Sequence, residues 1–421
     1  MSNLDYGPTK REALVHELAC SPLHSVERVA APPSDPGLAR LNELGTRVWY
    51  DTGKLEEAEK IWRLEASALT TNNTLANQVV QSGIMDDVIQ RAIAAIRESD
   101  PSGSEADLVM DAAFVVNCHI ALRLIQAFDV LVSVELHPSV SHDMERTVRY
   151  AQRYYAVNPE HFIVKIPLTP EGYCAVARAR AMDIPINYTL GFSARQNYLA
   201  AMVSDPSFVN VFLGRLNQVI VENHLGDGRN AGEKTTLASQ AGLRSARSSR
   251  AGIGTRQIAA SMRGGEQMAA LAGVDVFTAP PSAVAEFLAA GYKPADLVSH
   301  VDDQLEVAIA DPEMAGDFER LWAIDETFQQ FTASLASRGG TVLHGDDLRE
   351  ADRDFGTRMF AAFTPEEQSE IRSHGKIPNL ARWRGRAAID DLMTESAMQS
   401  FTTDQAALDG RIRSVGGIGA A

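Results

Sequence analysis

Apolar runs of about five residues alternate along most of the chain with longer stretches in which apolar residues recur at helical spacing. The short runs are rich in β-branched and aromatic residues and end at polar residues or glycine, as is typical of buried parallel strands. We predict eight such strands, at residues 46–50, 66–70, 130–136, 162–166, 184–190, 208–213, 257–261 and 274–278.

Eight strand–helix units in succession favour a parallel sheet that closes on itself. The predicted fold class is therefore α/β, a (β/α)8 TIM barrel. A doubly wound open sheet is the alternative, but the first β–α turn, Asp51-Thr52-Gly53, lacks the G-x-G-x-x-G fingerprint of that fold. We predict a catalytic barrel over 46–300, an N-terminal extension over 1–45 and a C-terminal helical extension over 301–421, packed on the barrel.

The two extensions differ in their patterns. The N-terminal one contains a short amphipathic piece near 10–19 and a proline-rich stretch at 31–37, which together indicate a tail or lid. The C-terminal one is charged and helical in pattern, with disorder expected over 416–421. Its predicted helices are 302–310, 314–337, 357–363, 365–373 and 386–398.

Composition narrows the classes of function. The chain has 421 residues, 45% of them hydrophobic, and a net charge of -16, which argues against non-specific binding to nucleic acid or an anionic membrane. No run approaches the length of an apolar membrane span. The three cysteines are scattered and show no metal-ligand spacing, so we expect no metal site and a reducing, cytoplasmic location.

The segment 226–256 is rich in basic residues. A helix of about 15 residues with a solvated charged face is the favoured interpretation. A basic rim that attracts an anionic substrate is the alternative. The glycine-rich start of the segment, 226–235, does not fit the G-x-x-x-x-G-K-[ST] spacing of a phosphate loop.

One predicted strand, 162–166, carries Lys165 near its end. Burying an ammonium group is costly unless the group is paired or loses its proton. A desolvated lysine has a lowered pKa and becomes a nucleophile toward carbonyl carbons. The alternative is a lysine whose long side chain extends from the strand end to water.

Polar residues also follow other predicted strands, where barrels place their reactive groups. These residues are Asp51, Asn72, Glu135, Asn187, Thr189, Arg215, Ser261 and Arg263. Each has a structural alternative, such as a helix cap for Asp51 or a turn for Asn72. Together they favour an enzyme that makes or breaks carbon–carbon bonds through a lysine Schiff base, with carboxylates that move protons and arginines that hold a phosphate.

The same residues resemble the transaldolase family, in family order over roughly 46–290. The matching pieces are Asp51-Thr52-Gly53, Thr70-Thr71-Asn72, Val134-Glu135, Val164-Lys165-Ile166-Pro167, Asn187-Tyr188-Thr189-Leu190, Phe212-Leu213-Gly214-Arg215, Ala260-Ser261-Met262-Arg263 and Leu271-Ala272-Gly273-Val274-Asp275. The resemblance implies a metal-free, cofactor-independent barrel enzyme that moves a dihydroxyacetone unit from a ketose phosphate, such as sedoheptulose 7-phosphate or fructose 6-phosphate, to an aldose phosphate.

The resemblance also implies roles. Lys165 would form the Schiff base, Asp51 would act as acid and base in the C–C step, and Glu135 and Thr189 would handle water and protons. Asn72 and Asn187 would bind the dihydroxyacetone hydroxyls. Phosphate would be held by Arg215, Ser261 and Arg263, with Phe212 over the site.

Two positions bear on the subtype, because the related fructose-6-phosphate aldolases typically carry glutamine at the position of Glu135 and tyrosine at that of Phe212. Three others depart from the family pattern: Asn73, Asn210 and Met262. The favoured function is transaldolase-type transfer in the pentose phosphate pathway. The alternatives are a fructose-6-phosphate-type aldolase and a transaldolase-like enzyme of secondary metabolism, and a homodimer remains open.

Overall fold

The computed structural model describes residues 7–22 and 26–419. Its eight strands pair in chain order, all in parallel, and the last pairs with the first, so the sheet closes into a barrel. The predicted (β/α)8 fold is confirmed, and the open sheet is excluded. The strands are β1 (Arg47–Asp51), β2 (Ala66–Thr70), β3 (Leu131–Glu135), β4 (Phe162–Pro167), β5 (Ile186–Thr189), β6 (Phe208–Phe212), β7 (Arg256–Ala260) and β8 (Val276–Ala279).

Helices surround the barrel, and others precede and follow it in the chain. Two precede it, α1 (Lys10–Ala19) and α2 (Pro36–Glu43). Those of the barrel region are α3 (Leu55–Ile61), α4 (Asn73–Gln81), α5 (Asp86–Ser99), α6 (Glu105–Phe128), α7 (Met144–Val157), α8 (Pro170–Arg180), α9 (Ala194–Val203), α10 (Leu213–Glu222), α11 (Ala231–Ser249), α12 (Gly265–Ala270) and α13 (Pro281–Ala290). The chain then forms α14 (Pro312–Glu319), α15 (Glu326–Arg338), α16 (Gly345–Phe355), α17 (Pro365–Ser373), α18 (Leu380–Trp383) and α19 (Ile389–Val415). Short 3-10 helices occur at Pro138–Val140, Pro294–Asp296 and Gly340–Val342.

The core explains the apolar pattern of the strands. Every residue of β4 is buried, because the barrel interior covers one face of the strand and the helices cover the other. Helix α6 is long and apolar enough to cross a membrane by length and composition, yet 78% of its most apolar 18-residue window is buried inside the protein. It is therefore a helix of the core.

The N-terminal extension is part of the packed structure. Helix α1 lies against α5, α6 and α7, and Arg11 donates to Asp100 at 2.9 Å and to Asp111 at 2.7 Å. The interpretation of this region as a tail or lid is wrong, since its helix is tied to the side of the barrel.

The C-terminal extension is helical, but several predicted bounds are wrong. Residues 302–310 and 357–363 form no helix, and residues 314–337 are divided between α14 and α15. The last predicted helix is longer than expected and runs as α19 to Val415. Ile418 is buried against the core, so the described part of the tail is packed, whereas Ala420 and Ala421 lie outside the described residues.

Helix α19 crosses the carboxyl-end face of the barrel. It has 27 residues and is about 40 Å long at 1.5 Å per residue. Its Thr394 hydroxyl donates to the Leu190 carbonyl beyond β5, at 2.9 Å. Its Gln405 accepts a hydrogen bond from Asn73 beyond β2, at 2.8 Å. The C-terminal extension therefore packs across the end of the barrel at which active sites form.

The basic segment forms α11, so the predicted helix is confirmed, but it has 19 residues and more than half of them are buried. Arg244 pairs with Asp302 at 2.9 Å, Arg247 pairs with Asp275 at 3.2 Å, and the Lys234 ammonium lies 4.8 Å from the centre of the Trp322 ring. These basic side chains bind neighbouring protein groups on the outside of the barrel, which argues against the alternative of a basic rim.

Candidate active site

A cavity of about 190 Å³ opens at the carboxyl ends of the strands. Its walls bring together eight of the ten residues that the sequence predicts for the site. These are Asp51, Asn72, Lys165, Asn187, Phe212, Arg215, Ser261 and Arg263. The other two, Glu135 and Thr189, are buried on the strands on either side of β4.

Lys165 is the central residue of this cavity. Its side chain is 5% exposed, its Nζ atom lies 3.0 Å from Glu135 Oε2, and it donates to the Thr71 carbonyl at 3.2 Å. The pairing register of β3 and β4 sets Glu135 directly beside Lys165, so the barrel itself creates this contact. The alternative in which Lys165 extends to water is wrong.

Two carboxyl groups accompany the lysine. Burial raises the pKa of Glu135 above its usual value, although Lys165 partly offsets this effect. Burial likewise raises the pKa of Asp51, against the opposing effects of Lys165 and of a 2.6 Å hydrogen bond from the Thr70 hydroxyl. Asp51 is not the cap of α3, since Lys54 occupies that position.

Asn72, Asn187 and Thr189 differ in which of their polar atoms are already hydrogen-bonded within the protein. Asn72 caps α4, because its Oδ1 accepts from the Leu75 N–H at 2.9 Å, which leaves its NH2 group for the cavity. Asn187 donates to Ser133 at 3.0 Å, while its own Oδ1 has no hydrogen-bond partner within the described part of the chain. The buried Thr189 hydroxyl also has no partner there. Buried polar atoms without partners are rare in proteins, and here they suit a site that binds a polar ligand.

The other end of the cavity is cationic. Arg215 is 6% exposed, and its guanidinium lies 5.7 Å from the ring centre of Phe212 and 5.9 Å from that of Phe401. Burial, together with the nearby Arg263, lowers the pKa of Arg215 to about 10. Its Nη1 atom is buried and makes no hydrogen bond to any described residue.

Backbone packing holds the two arginines together. A Cβ atom on Gly214 would lie 2.2 Å from the Ser261 carbonyl oxygen, so the absence of a side chain lets the start of α10 reach the end of β7. Ser261 itself has a φ of 63°, which is unusual for a residue other than glycine and is a form of strain that occurs often at functional sites.

Among the cavity residues that sequence reasoning missed, Lys376 and Phe401 come from the C-terminal extension. The contact between Asn73 and Gln405 was signalled, if at all, by the departure of Asn73 from the family pattern. The other departures, Asn210 and Met262, also line the cavity.

The fold and this cavity define a (β/α)8 barrel protein with a lysine–carboxylate pair at the carboxyl ends of its strands. Residues 48–340, more than half of the chain, match the family described as Transaldolase/Fructose-6-phosphate aldolase. The chain belongs to this family.

Similar proteins are distant in sequence. The chain is 28% identical to a transaldolase of Xanthomonas euvesicatoria over 264 residues, which cover 60% of this chain and 77% of that protein. It is 28% identical to a transaldolase of Chlamydia pneumoniae over 224 residues, 52% of this chain and 67% of that protein. A probable transaldolase of Aquifex aeolicus is 39% identical over 100 residues, 24% of this chain and 44% of that protein.

Proposed function

We propose that this protein transfers a dihydroxyacetone unit from a ketose phosphate to an aldose phosphate, as a transaldolase does. The observation that carries the proposal is the buried Lys165, 3.0 Å from Glu135, in a cavity whose opposite end holds Arg215 and Arg263. A nucleophilic amine and a phosphate-binding end in one cavity suit a phosphorylated ketose.

The first step is imine formation. The Lys165 amine adds to the ketone carbon and forms a carbinolamine, which loses water to give an iminium ion. Glu135 is a suitable proton carrier, because its raised pKa makes it a better base and it is within hydrogen-bond reach of Nζ. Thr189 assists in moving water and protons from the adjacent strand.

The second step breaks the carbon–carbon bond. Asp51 removes the proton of the substrate hydroxyl. The carbon–carbon bond between the hydroxyl-bearing carbon and the iminium-bearing fragment then breaks, and the electron pair of that bond passes to the iminium nitrogen. This releases an aldose phosphate and leaves a three-carbon enamine on Lys165. The enamine then attacks the aldehyde carbon of the acceptor, and hydrolysis frees the new ketose phosphate.

Binding groups hold the substrate in register for these steps. Asn72 and Asn187 bind the hydroxyls of the three-carbon unit, and the phosphate lies at Arg215, Ser261 and Arg263 with Phe212 beside it. No metal or other cofactor is required by this sequence of steps. We place the reaction in the cytoplasm, in pentose phosphate metabolism.

Trapping of the Schiff base tests the proposal. Borohydride reduction in the presence of fructose 6-phosphate is expected to leave an adduct on Lys165, detectable by peptide mass spectrometry. Lys165→Ala is expected to lose the adduct and all measurable turnover while it keeps its fold by circular dichroism. Lys60→Ala is the matched control, since Lys60 is an exposed lysine of α3 outside the cavity walls. Near-normal turnover in Lys165→Ala would show that the assignment is wrong.

An aldolase that releases free dihydroxyacetone is the second candidate, since the family includes both activities. Glu135 and Phe212 favour transfer. A coupled assay with and without an aldose phosphate acceptor decides between the two, because a transferase consumes the donor quickly only when the acceptor is present.

A further inference from the structure

A lysine from the C-terminal extension lies at the cationic end of the cavity. Lys376 belongs to the connection between α17 and α18, outside the barrel, and lines the cavity together with Arg215 and Arg263. No carboxylate of the described residues lies within 4.0 Å of its ammonium group, and the side chain keeps contact with solvent at the cavity mouth. Lys376 is therefore positioned without an ion-pair partner of its own.

The connection that carries Lys376 is anchored to the same helix as Arg215. Asn223, at the end of α10, accepts from the Leu380 N–H at 2.8 Å and donates to the Pro378 carbonyl at 3.1 Å. Ile377 is buried beside these contacts. Arg215 lies in the first turn of α10 and Asn223 follows its last residue, so this one helix positions both Arg215 and Lys376.

Helix α19, which lines this end of the cavity through Phe401, is held against the start of α4. Its Asp404 accepts a hydrogen bond from Thr74 at the start of α4, and its Gln405 accepts one from Asn73. Asp404 is the carboxylate whose charge acts on both Arg215 and Lys376. The other carboxylate that acts on Arg215, Glu135, is paired with Lys165. The three cations Arg215, Lys376 and Arg263 therefore outnumber the carboxylates at this end of the cavity, which suits a phosphate monoester dianion.

The cations at this end of the cavity repel one another. Burial and then the charge of Arg215 lower the pKa of Lys376, and burial and then the charge of Arg263 lower that of Arg215. Arg215 also keeps a buried N–H group without a partner among the described residues. A dianion would neutralise this repulsion and supply the acceptor that Arg215 lacks.

We propose that Lys376 is a third phosphate-binding cation, supplied by the C-terminal extension, which increases the preference of this site for phosphorylated sugars. The inference rests on the proposed function, in that the phosphate belongs to the sugar substrate. Lys376 acts in binding and takes no part in the bond-forming steps at Lys165.

Direct binding of inorganic phosphate tests the inference without any turnover. Isothermal titration calorimetry is run at constant ionic strength, because screening alone changes weak ionic binding. Lys376→Met is expected to weaken phosphate binding roughly three- to tenfold, the range of a partly exposed charged contact. Lys376→Arg, which keeps the charge, is expected to retain most of the affinity. Lys60→Met, which removes a charge on the exposed side of α3, is expected to bind as the unchanged protein does.

Kinetics separate a binding role from a merely structural one. Lys376→Met is expected to raise the KM for fructose 6-phosphate by a similar factor, with little change in kcat and in the KM for a donor without phosphate. Unchanged phosphate affinity in Lys376→Met would overturn the inference, as would an unchanged protein that binds no phosphate.

The two proposals fail in different ways. Dihydroxyacetone carries no phosphate, so borohydride trapping with it reports on Lys165 alone. A trapped adduct together with unchanged phosphate affinity in Lys376→Met would overturn the role of Lys376 and leave the Schiff-base chemistry standing. Absence of any adduct, with dihydroxyacetone or with ketose phosphates, would overturn the proposed function and with it the inference.

Discussion

Two buried arginines, Arg195 and Arg215, lie in opposite electrostatic surroundings. Arg195 is 4% exposed and joins the barrel to α19 through two 2.7 Å hydrogen bonds to Asp390. It also donates at 2.8 Å to the Thr357 carbonyl, between α16 and α17. Arg215 is 6% exposed and has no carboxylate within 4.0 Å in the described part of the chain. Burial lowers the pKa of both, but Asp390 outweighs burial at Arg195 and raises its pKa, whereas that of Arg215 falls to about 10.

The difference separates a cation that is paired within the protein from one that is free to pair with a ligand. At Arg195 each charge is met by protein groups, so the pair holds the C-terminal extension on the barrel. At Arg215 the protein leaves a buried charge without an anion, which costs stability unless a ligand supplies one. The cavity thus contains an electrostatically unfavourable buried charge. The ion pair between Arg195 and Asp390 is part of what holds the surrounding structure in place.

Arg195→Met is the largest disruption that this comparison predicts. It leaves the Asp390 carboxylate buried and unpaired, and removing one partner of a buried ion pair typically costs about 3–5 kcal/mol. We expect a loss of this size in the free energy of unfolding, measured by urea denaturation. The double variant Arg195→Met/Asp390→Leu is the control and is expected to recover a large part of the loss. A loss below about 1 kcal/mol, the value of an exposed ion pair, would contradict the contrast.

Arg215→Met is expected to act on binding instead. Its removal leaves no partner carboxylate unpaired, so the free energy of unfolding should stay within about 1 kcal/mol of the original or rise. Losing a charged hydrogen bond to phosphate costs about 1.5–3 kcal/mol, which corresponds to a roughly 10- to 150-fold weaker binding of a ketose phosphate. Calorimetric titration and urea denaturation of the same sample check both parts. A strong loss of stability with unchanged binding would make Arg215 a structural residue like Arg195.

The smallest expected effect is the pH dependence of two buried carboxyl groups. Burial raises the pKa of Asp51 in the folded protein, so its stabilising contribution is present at low pH and is lost as the pH rises through that pKa. Burial also opposes ionisation of Asp390, but Arg195 outweighs it and holds the pKa below its usual value. The contribution of Asp390 is therefore present at neutral pH and is lost as the pH falls through the lowered pKa.

Thermal denaturation of variants of Asp51 and Asp390, measured from acid to neutral pH, compares the two carboxyl groups. Asp51→Asn is expected to have a higher Tm than the original protein at neutral pH, with a difference that shrinks on acidification, and to lose turnover. Asp390→Asn is expected to have a lower Tm at neutral pH, with a deficit that also shrinks toward acid. If both variants changed the Tm in the same direction at neutral pH, the distinction between the two regions would be contradicted.

The barrel and the lysine end of the site could be predicted from the sequence, for one physical reason. Parallel strands buried on both faces appear as apolar runs, and their order and register set the residues at their carboxyl ends side by side. Glu135 and Lys165 were therefore expected at one site, and they are paired partners in the structure. The roles assigned to these residues remain predictions, and Lys165→Ala tests that of the lysine.

The C-terminal extension was less predictable, because its helices are defined by contacts with the barrel more than by local periodicity. The non-helical segments 302–310 and 357–363 contain apolar residues whose local pattern is compatible with a helix. Lys376 lies 161 positions after Arg215 in the chain, and no spacing rule connects residues so far apart. Their proximity depends on the anchoring of the extension by Asn223 and Asp390.

Helix α19 has a consequence for how this enzyme could acquire new substrates. Phe401, Asp404 and Gln405 occupy one face of a single helix, which contributes to the cavity but to none of the eight strands. The cavity is therefore lined both by the barrel, which carries Lys165, Arg215 and Arg263, and by a helix that follows the barrel in the chain. Substitutions along this one helical face can change the size and charge of the cavity while Lys165, Glu135 and Asp51 stay as they are.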